Sequence, residues 1–132
     1  MVRTDNKNGI IDTDILIDVS KGNDDSIRFL TGHQDADIRV SIITAIELVV
    51  GCRNKTELNH ILKFLQNFTI LPITVTSSQI AYQLIETFAL SHGLLMADAL
   101  IAATVLEQET ILYTKNIRHF RMIPDLEVFR PY

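Results

Sequence analysis

Between Ile10 and Phe129, short runs rich in β-branched residues alternate with stretches long and periodic enough to be helices, and this alternation leaves few folds open. Ile10 to Asp12 reads as a short strand running into a helix from about Thr13, which stops at Lys21-Gly22; Asn23 is placed to cap the next helix. Ile38 to Ile43 reads as a buried strand, and the following Thr44-Ala45-Ile46-Glu47 has the spacing of a capping box at the head of a helix ending near Gly51. Leu58, Ile61, Leu62 and Leu65 share one helical face. Thr69 to Ile73 is a third strand. Thr76-Ser77-Ser78-Gln79 is a second capping box, opening a helix that Gly93 closes. Ala97 to Gln108 is apolar nearly all round and predicts a buried helix; Ile111 to Thr114 is a fourth strand, Lys115 to Phe120 a turn or short helix, and Leu126 to Phe129 an edge strand.

Strands joined through helices of this length pair in parallel, with helices on both faces of the sheet. The expected fold is therefore α/β, a three-layer α/β/α sandwich around a mainly parallel sheet of four to five strands. With 132 residues and no repeat or linker-like tract, the chain reads as one domain, 1–132, its polar first nine residues a flexible leader.

Composition narrows the function. Hydrophobic residues make up 47% and charged residues 21%, as in ordinary globular proteins, and a single cysteine, Cys52, rules out an internal disulfide. No apolar stretch is long enough to span a bilayer, and the start lacks a secretory signal's apolar core, so the expected location is the cytoplasm. A formal net charge of −4 argues against gripping nucleic acid by global electrostatics, so contact with RNA has to be local or metal-assisted.

Three acids stand out. Asp12, between Ile10-Ile11 and Ile15-Leu16-Ile17, is placed either to cap a helix or to serve a site; Glu47 is the third helical position of the Thr44 box, a role compatible with a second one. Asp98 opens the apolar helix and needs a partner, because the helix dipole offers only about 1 kcal/mol against a larger desolvation cost. All three are expected at strand-to-helix junctions on one edge of the sheet, where ligands of such folds gather. Carboxylates about 5 Å apart repel by roughly 3 kcal/mol per pair at an effective dielectric of 20, which favours proton uptake or a cation. An oxygen-only donor set selects Mg²⁺ or Mn²⁺ over zinc. His33, His60, His92 and His119 are scattered and read as surface or packing residues.

At these residues the sequence resembles the PIN-domain family, and within it the VapC toxins of bacterial toxin–antitoxin pairs. The matching motifs are Ile11-Asp12-Thr13-Asp14-Ile15-Leu16-Ile17-Asp18, Ser41-Ile42-Ile43-Thr44-Ala45-Ile46-Glu47-Leu48, Ala97-Asp98-Ala99-Leu100-Ile101-Ala102-Ala103 and Thr114-Lys115-Asn116-Ile117-Arg118-His119-Phe120. The resemblance implies a metal-dependent endoribonuclease in which Asp12, Glu47 and Asp98 ligate Mg²⁺ or Mn²⁺. It places Asn116 in the catalytic set and Thr13, Asp14, Thr44 and Thr114 in support. It also implies a homodimer and a cognate VapB-like antitoxin whose tail fills the acidic groove. Relatives often carry Asp at the position of Asn116, or an acid at that of His119, and Asn is more usual at that of Asp14.

Lys115, Arg118 and Arg121 recur around the fourth motif, either as a solvated face or as contacts to RNA phosphates. Two other readings compete: a PIN module that binds without catalysis, and a receiver-type Mg²⁺-binding signalling domain, for which the phosphoacceptor Asp closing a central strand is missing.

Overall fold

The computed structural model describes residues 8–33 and 37–132. In chain order the elements are β1 (Gly9–Ile11), α1 (Thr13–Ser20), α2 (Asp24–Thr31), β2 (Ile38–Ser41), α3 (Ile42–Val50), α4 (Lys55–Leu65), β3 (Thr69–Leu71), α5 (Val75–His92), α6 (Met96–Glu107), β4 (Ile111–Tyr113), a 3₁₀ turn (Ile117–His119) and β5 (Glu127–Phe129). The five strands form one sheet in the order β3-β2-β1-β4-β5, and every neighbouring pair is parallel. The expected α/β sandwich is the observed one.

Strand alternation sorts the core into two halves. Ile10 and its register partner Leu112 face one side, where α5, α6 and Phe120 cover them; Ile11 and Tyr113 face the other, against Ile15, Leu16, Phe29 and Val40. Asp12 and Thr114 continue the parity of Ile10 and Leu112. Both are thereby carried to the α6 side of the sheet, at the carboxyl ends of β1 and β4. The chain order reverses between these two strands, since β2 and β3 lie on one side of β1 and β4 on the other. That reversal opens a crevice beyond the strand ends.

Close approach of β1 to β4 depends on glycine. A Cβ on Gly9 would stand 2.6 Å from Cε2 of the buried Tyr113 ring. Gly93 ends α5 in the left-handed conformation at φ 68°, as its place in the sequence predicts.

Several boundaries differ from the sequence reading. The strand beginning at Ile38 ends at Ser41, and Ile42 and Ile43, read as strand from their β-branching, open α3. Ser41 is the N-cap, its buried hydroxyl accepting from the amide of Ile43 at 3.0 Å, so the Thr44 capping box does not form. The α5 box also lies two residues earlier, between Thr74 and Ser77, and β3 stops at Leu71. In each case several hydroxyl residues stand in a row, and tertiary packing decides which one faces the free amides. The leader does not reach Gly9, which is in β1 and whose amide donates to Asp37 O; its first seven residues lie outside those described. Only Leu65 of the predicted inward face of α4 is buried, while Leu62 is 47% exposed. Among the described residues no helix is long and apolar enough to cross a membrane.

Candidate functional site

Asp12 caps α1: its backbone is extended and its Oδ1 accepts from the Thr13 amide at 2.8 Å. Oδ2 accepts from the Thr114 hydroxyl at 2.7 Å. That hydroxyl also accepts from the Asn116 amide at 3.0 Å, so its single proton is committed to Asp12 rather than to Asp14 Oδ2, 3.4 Å away. Asp12 is 6% exposed and Thr114 fully buried. Burial pushes the Asp12 carboxyl up to about 6, against the Thr114 hydrogen bond that lowers it, with repulsion from Asp14 and Asp98 adding to the rise.

Asp14 sits in the first turn of α1 and binds the loop after β4. Its Oδ2 accepts from the Lys115 amide at 3.0 Å and from Asn116 Nδ2 at 3.1 Å. Its Oδ1 is buried with no hydrogen-bond partner. Burial raises this carboxyl too. A buried carboxylate oxygen with an open lone pair is an unusual expense for a fold, and it suits a donor in search of a cation.

Glu47 and Asp98 close the pocket from two other helices. The Thr13 hydroxyl lies 2.6 Å from Glu47 Oε1 and 3.0 Å from the Thr44 hydroxyl; with one proton, it donates to the carboxylate and accepts from Thr44. Asp98, in the first turn of α6, has a carboxyl raised first by burial, opposed by His119 and reinforced by Glu47 and Asp14. His119 Nδ1 stands 3.6 Å from Asp98 Oδ2. The four acids therefore face one crevice and feel one another's charge.

The route by which they meet differs from expectation. Only Asp12 stands where a strand gives way to a helix. Glu47 is in the second turn of α3, on an exposed position, and Asp98 follows the α5–α6 turn rather than a strand. As placed, no three Asp, Glu, His or Cys side chains among the described residues are drawn together enough to hold an ion. Glu47 is instead bound by the Thr13 hydroxyl, and His119 lies beside Asp98. The donors are nonetheless hard oxygens, one of them buried and unpartnered, and this chemistry fits Mg²⁺ or Mn²⁺.

The basic residues divide. Lys115 Nζ is 2.5 Å from Asp18 Oδ2 and 5.5 Å above the Tyr132 ring, Arg118 is exposed beside Asn116 and His119, and Arg121 is exposed elsewhere. Sequence reasoning missed three residues. His119 reads in the sequence as one of four scattered histidines; Asp18 closes the first motif without a role of its own and Arg130 gives no signal, because their contacts depend on how the tail folds back.

A family model described as PIN domain matches residues 10–125. Ribonuclease VapC19 of Mycobacterium tuberculosis is 31% identical over 121 residues, covering 89% of this chain and 96% of that protein. Ribonuclease VapC10 of the same organism is 28% identical over 120 residues, covering 89% and 90%. Among solved structures, VapBC2 from Rickettsia felis bound to a promoter DNA fragment superposes with a TM-score of 0.78 at 25% identity, over 92% of this chain and 97% of that one. A toxin–antitoxin complex from Klebsiella pneumoniae superposes with a TM-score of 0.76 at 27% identity, over 94% and 98%. Matched by the family model over most of its length and by these relatives in sequence and fold, the chain belongs to the PIN domain family, in its VapC branch.

Proposed function

We propose that the chain is an endoribonuclease that hydrolyses RNA phosphodiester bonds at the acidic crevice, with Mg²⁺ or Mn²⁺ held by Asp12, Asp14, Glu47 and Asp98. The observation that carries this reading is the gathering of four carboxylates from α1, α3 and α6 at one strand-end crevice, one of them with a buried, unpartnered oxygen. The relatives named ribonucleases support the reaction class. When bound, the ion supplies a water of lowered pKa and offsets charge on the phosphate.

The chain's own residues have separable tasks. Thr114 fixes Asp12 in orientation, the Lys115 amide and Asn116 fix Asp14, and Thr13 tethers Glu47. Asp98 Oδ2 takes the proton of the attacking water, its raised pKa bringing it nearer the range of an effective base. His119, 3.6 Å away, passes that proton toward solvent. The water oxygen bonds to phosphorus, the ester bond to the leaving oxygen breaks, and that oxygen takes up a proton from solvent, which balances the one released through His119.

Cellular RNA incubated with the protein in Mn²⁺ should yield new ends that are lost with chelator and lost in Asp98→Asn. Persistent cleavage by purified Asp98→Asn overturns the assignment of the base. A module that binds without cutting is the second reading, favoured by the spread of the side chains as placed. RNA binding with weak Mn²⁺ affinity and no cleavage would select it.

We infer a protein partner as well. The groove of about 540 Å³ between α3 and α4, lined by Ile46, Val49, Val50 and Leu62, suits an apolar segment of an antitoxin, the kind of partner present in the related toxin–antitoxin complex. Exposed Leu90, Leu95 and Met96 around the α5–α6 turn suit self-association as a homodimer. Sedimentation of Leu90→Asp/Met96→Asp tests the latter; an unchanged mass excludes that surface.

A further inference from the structure

Lys115, Asn116, Ile117, Arg118, His119 and Arg130 enclose a notch of about 370 Å³. No acid lines it, although the chain as a whole carries a net charge of −4, and three of the six residues are cationic. The notch adjoins the carboxylate crevice through two shared residues. Asn116 donates to Asp14, and His119 lies beside Asp98.

Arg130 is held by two backbone oxygens and, among the described residues, by no side-chain carboxylate. Its Nη1 donates to the Lys115 carbonyl at 3.0 Å and its Nε to the backbone oxygen of Tyr132 at 3.3 Å. These two contacts orient the guanidinium, and three of its five N–H groups remain for a ligand. Arg53, by contrast, is paired with the Glu57 carboxylate at 2.7 Å. The tail bearing Arg130 is itself pinned, since the Tyr132 phenol donates to Asp18 Oδ2 at 2.7 Å and Lys115 Nζ reaches the same oxygen. A guanidinium oriented by two backbone oxygens, with free N–H groups in a cavity of this size, suits a phosphodiester, which it can bind with two parallel hydrogen bonds.

We propose that this notch is a phosphate subsite, in which Arg130 holds a backbone phosphodiester of single-stranded RNA beside the bond presented to the carboxylates. The identity of the polyanion as RNA rests on the ribonuclease reading; the anion site rests on the notch. Such a contact positions the strand and carries no sequence preference. Without it, the crevice would repel the substrate's backbone.

The test measures binding rather than cleavage, so its failure and that of the ribonuclease reading can be told apart. A labelled single-stranded oligoribonucleotide is titrated with Asp98→Asn protein in chelator across a series of salt concentrations, with and without Arg130→Ala. Arg130→Ala should weaken binding about tenfold, alike for RNAs of different sequence, and lower the slope of log K against log salt by about 1. Arg130→Lys should recover part of the affinity, since charge remains while the fork is lost. Arg53→Gln should leave both quantities unchanged. An unaltered slope in Arg130→Ala, no RNA binding by the parent, or Arg130-dependent binding of inorganic phosphate without RNA binding each overturns the proposal. Loss of RNA cleavage in the wild type with the Arg130 effect intact would instead remove only the nuclease reading.

Discussion

Asn116 Nδ2 donates a hydrogen bond of 3.1 Å to Asp14 Oδ2, joining an acid in α1 to an amide in the loop after β4. The resemblance makes Asn more usual at the first position, with Asp at the second or an acid at that of His119. This chain has an acid at the first and an amide at the second, joined by that bond.

If the charge rather than its position matters, Asp14→Asn should lower Mn²⁺ affinity at least tenfold, equivalent to about 1.4 kcal/mol. Asn116→Asp alone brings two carboxylates into contact and should promote proton uptake. The double variant Asp14→Asn/Asn116→Asp should bind Mn²⁺ within about threefold of wild type, because neighbouring groups are not additive. Calorimetric titration of the four proteins checks this; simple addition of the two single losses would show that the positions are not interchangeable.

Metal should stabilise the fold as well as activate it. An ion that binds only the folded state at 100 times its Kd adds about 2.7 kcal/mol. A melt in chelator and in millimolar Mn²⁺ should therefore differ by several degrees, and Asp12→Asn should abolish most of the difference. No shift in the wild type would count against the crevice as a metal site.

The parallel sheet and the helices on both sides were legible because they depend on periodicity, and the acids stood out because such residues are costly to bury. The N-caps of α3 and α5 were not. Ser41, Thr44, Thr74, Thr76, Ser77 and Ser78 all offer a hydroxyl near a helix start, and local spacing does not say which of them the tertiary structure turns toward the amides. Glu47 illustrates the gain from the structure: read as a capping partner of Thr44, it is a second-turn residue held by Thr13 from a different helix. His119, Asp18 and Arg130 were illegible for a related reason, since their partners Asp98, Tyr132 and the Lys115 carbonyl are set by tertiary packing and not by spacing.

Gly9 offers a test of the fold independent of the site. A methyl group there would meet the Tyr113 ring at 2.6 Å, and that ring is packed by Phe29 and Phe129 at centroid distances of 4.9 and 6.1 Å, so it has little room to yield. Gly9→Ala should cost about 1 to 3 kcal/mol in urea unfolding. A smaller loss would mean that β1 and β4 separate more easily than this contact implies.

In metal-free protein the pocket should make stability fall as pH rises. Asp12 has a pKa of 3.8 as its ordinary value and about 6 in the fold. The folded chain therefore binds more protons than the unfolded chain between these values, and unfolding free energy decreases through that window. Burial raises Asp14 and Asp98 in the same direction. Asp18 acts oppositely, its carboxyl lowered by Lys115 and Tyr132, but its contribution is lost only below the ordinary carboxylate range. The Asp12 effect amounts to at most about 3 kcal/mol. Asp12→Asn removes the ionisation while keeping a good helix cap. Subtracting its urea-unfolding curve in chelator from that of the wild type should give a difference that favours the variant progressively from about pH 4 to about pH 6 and then levels off. A difference that is flat, or that grows toward acid, would mean that Asp12 keeps its charge in the empty crevice at no cost.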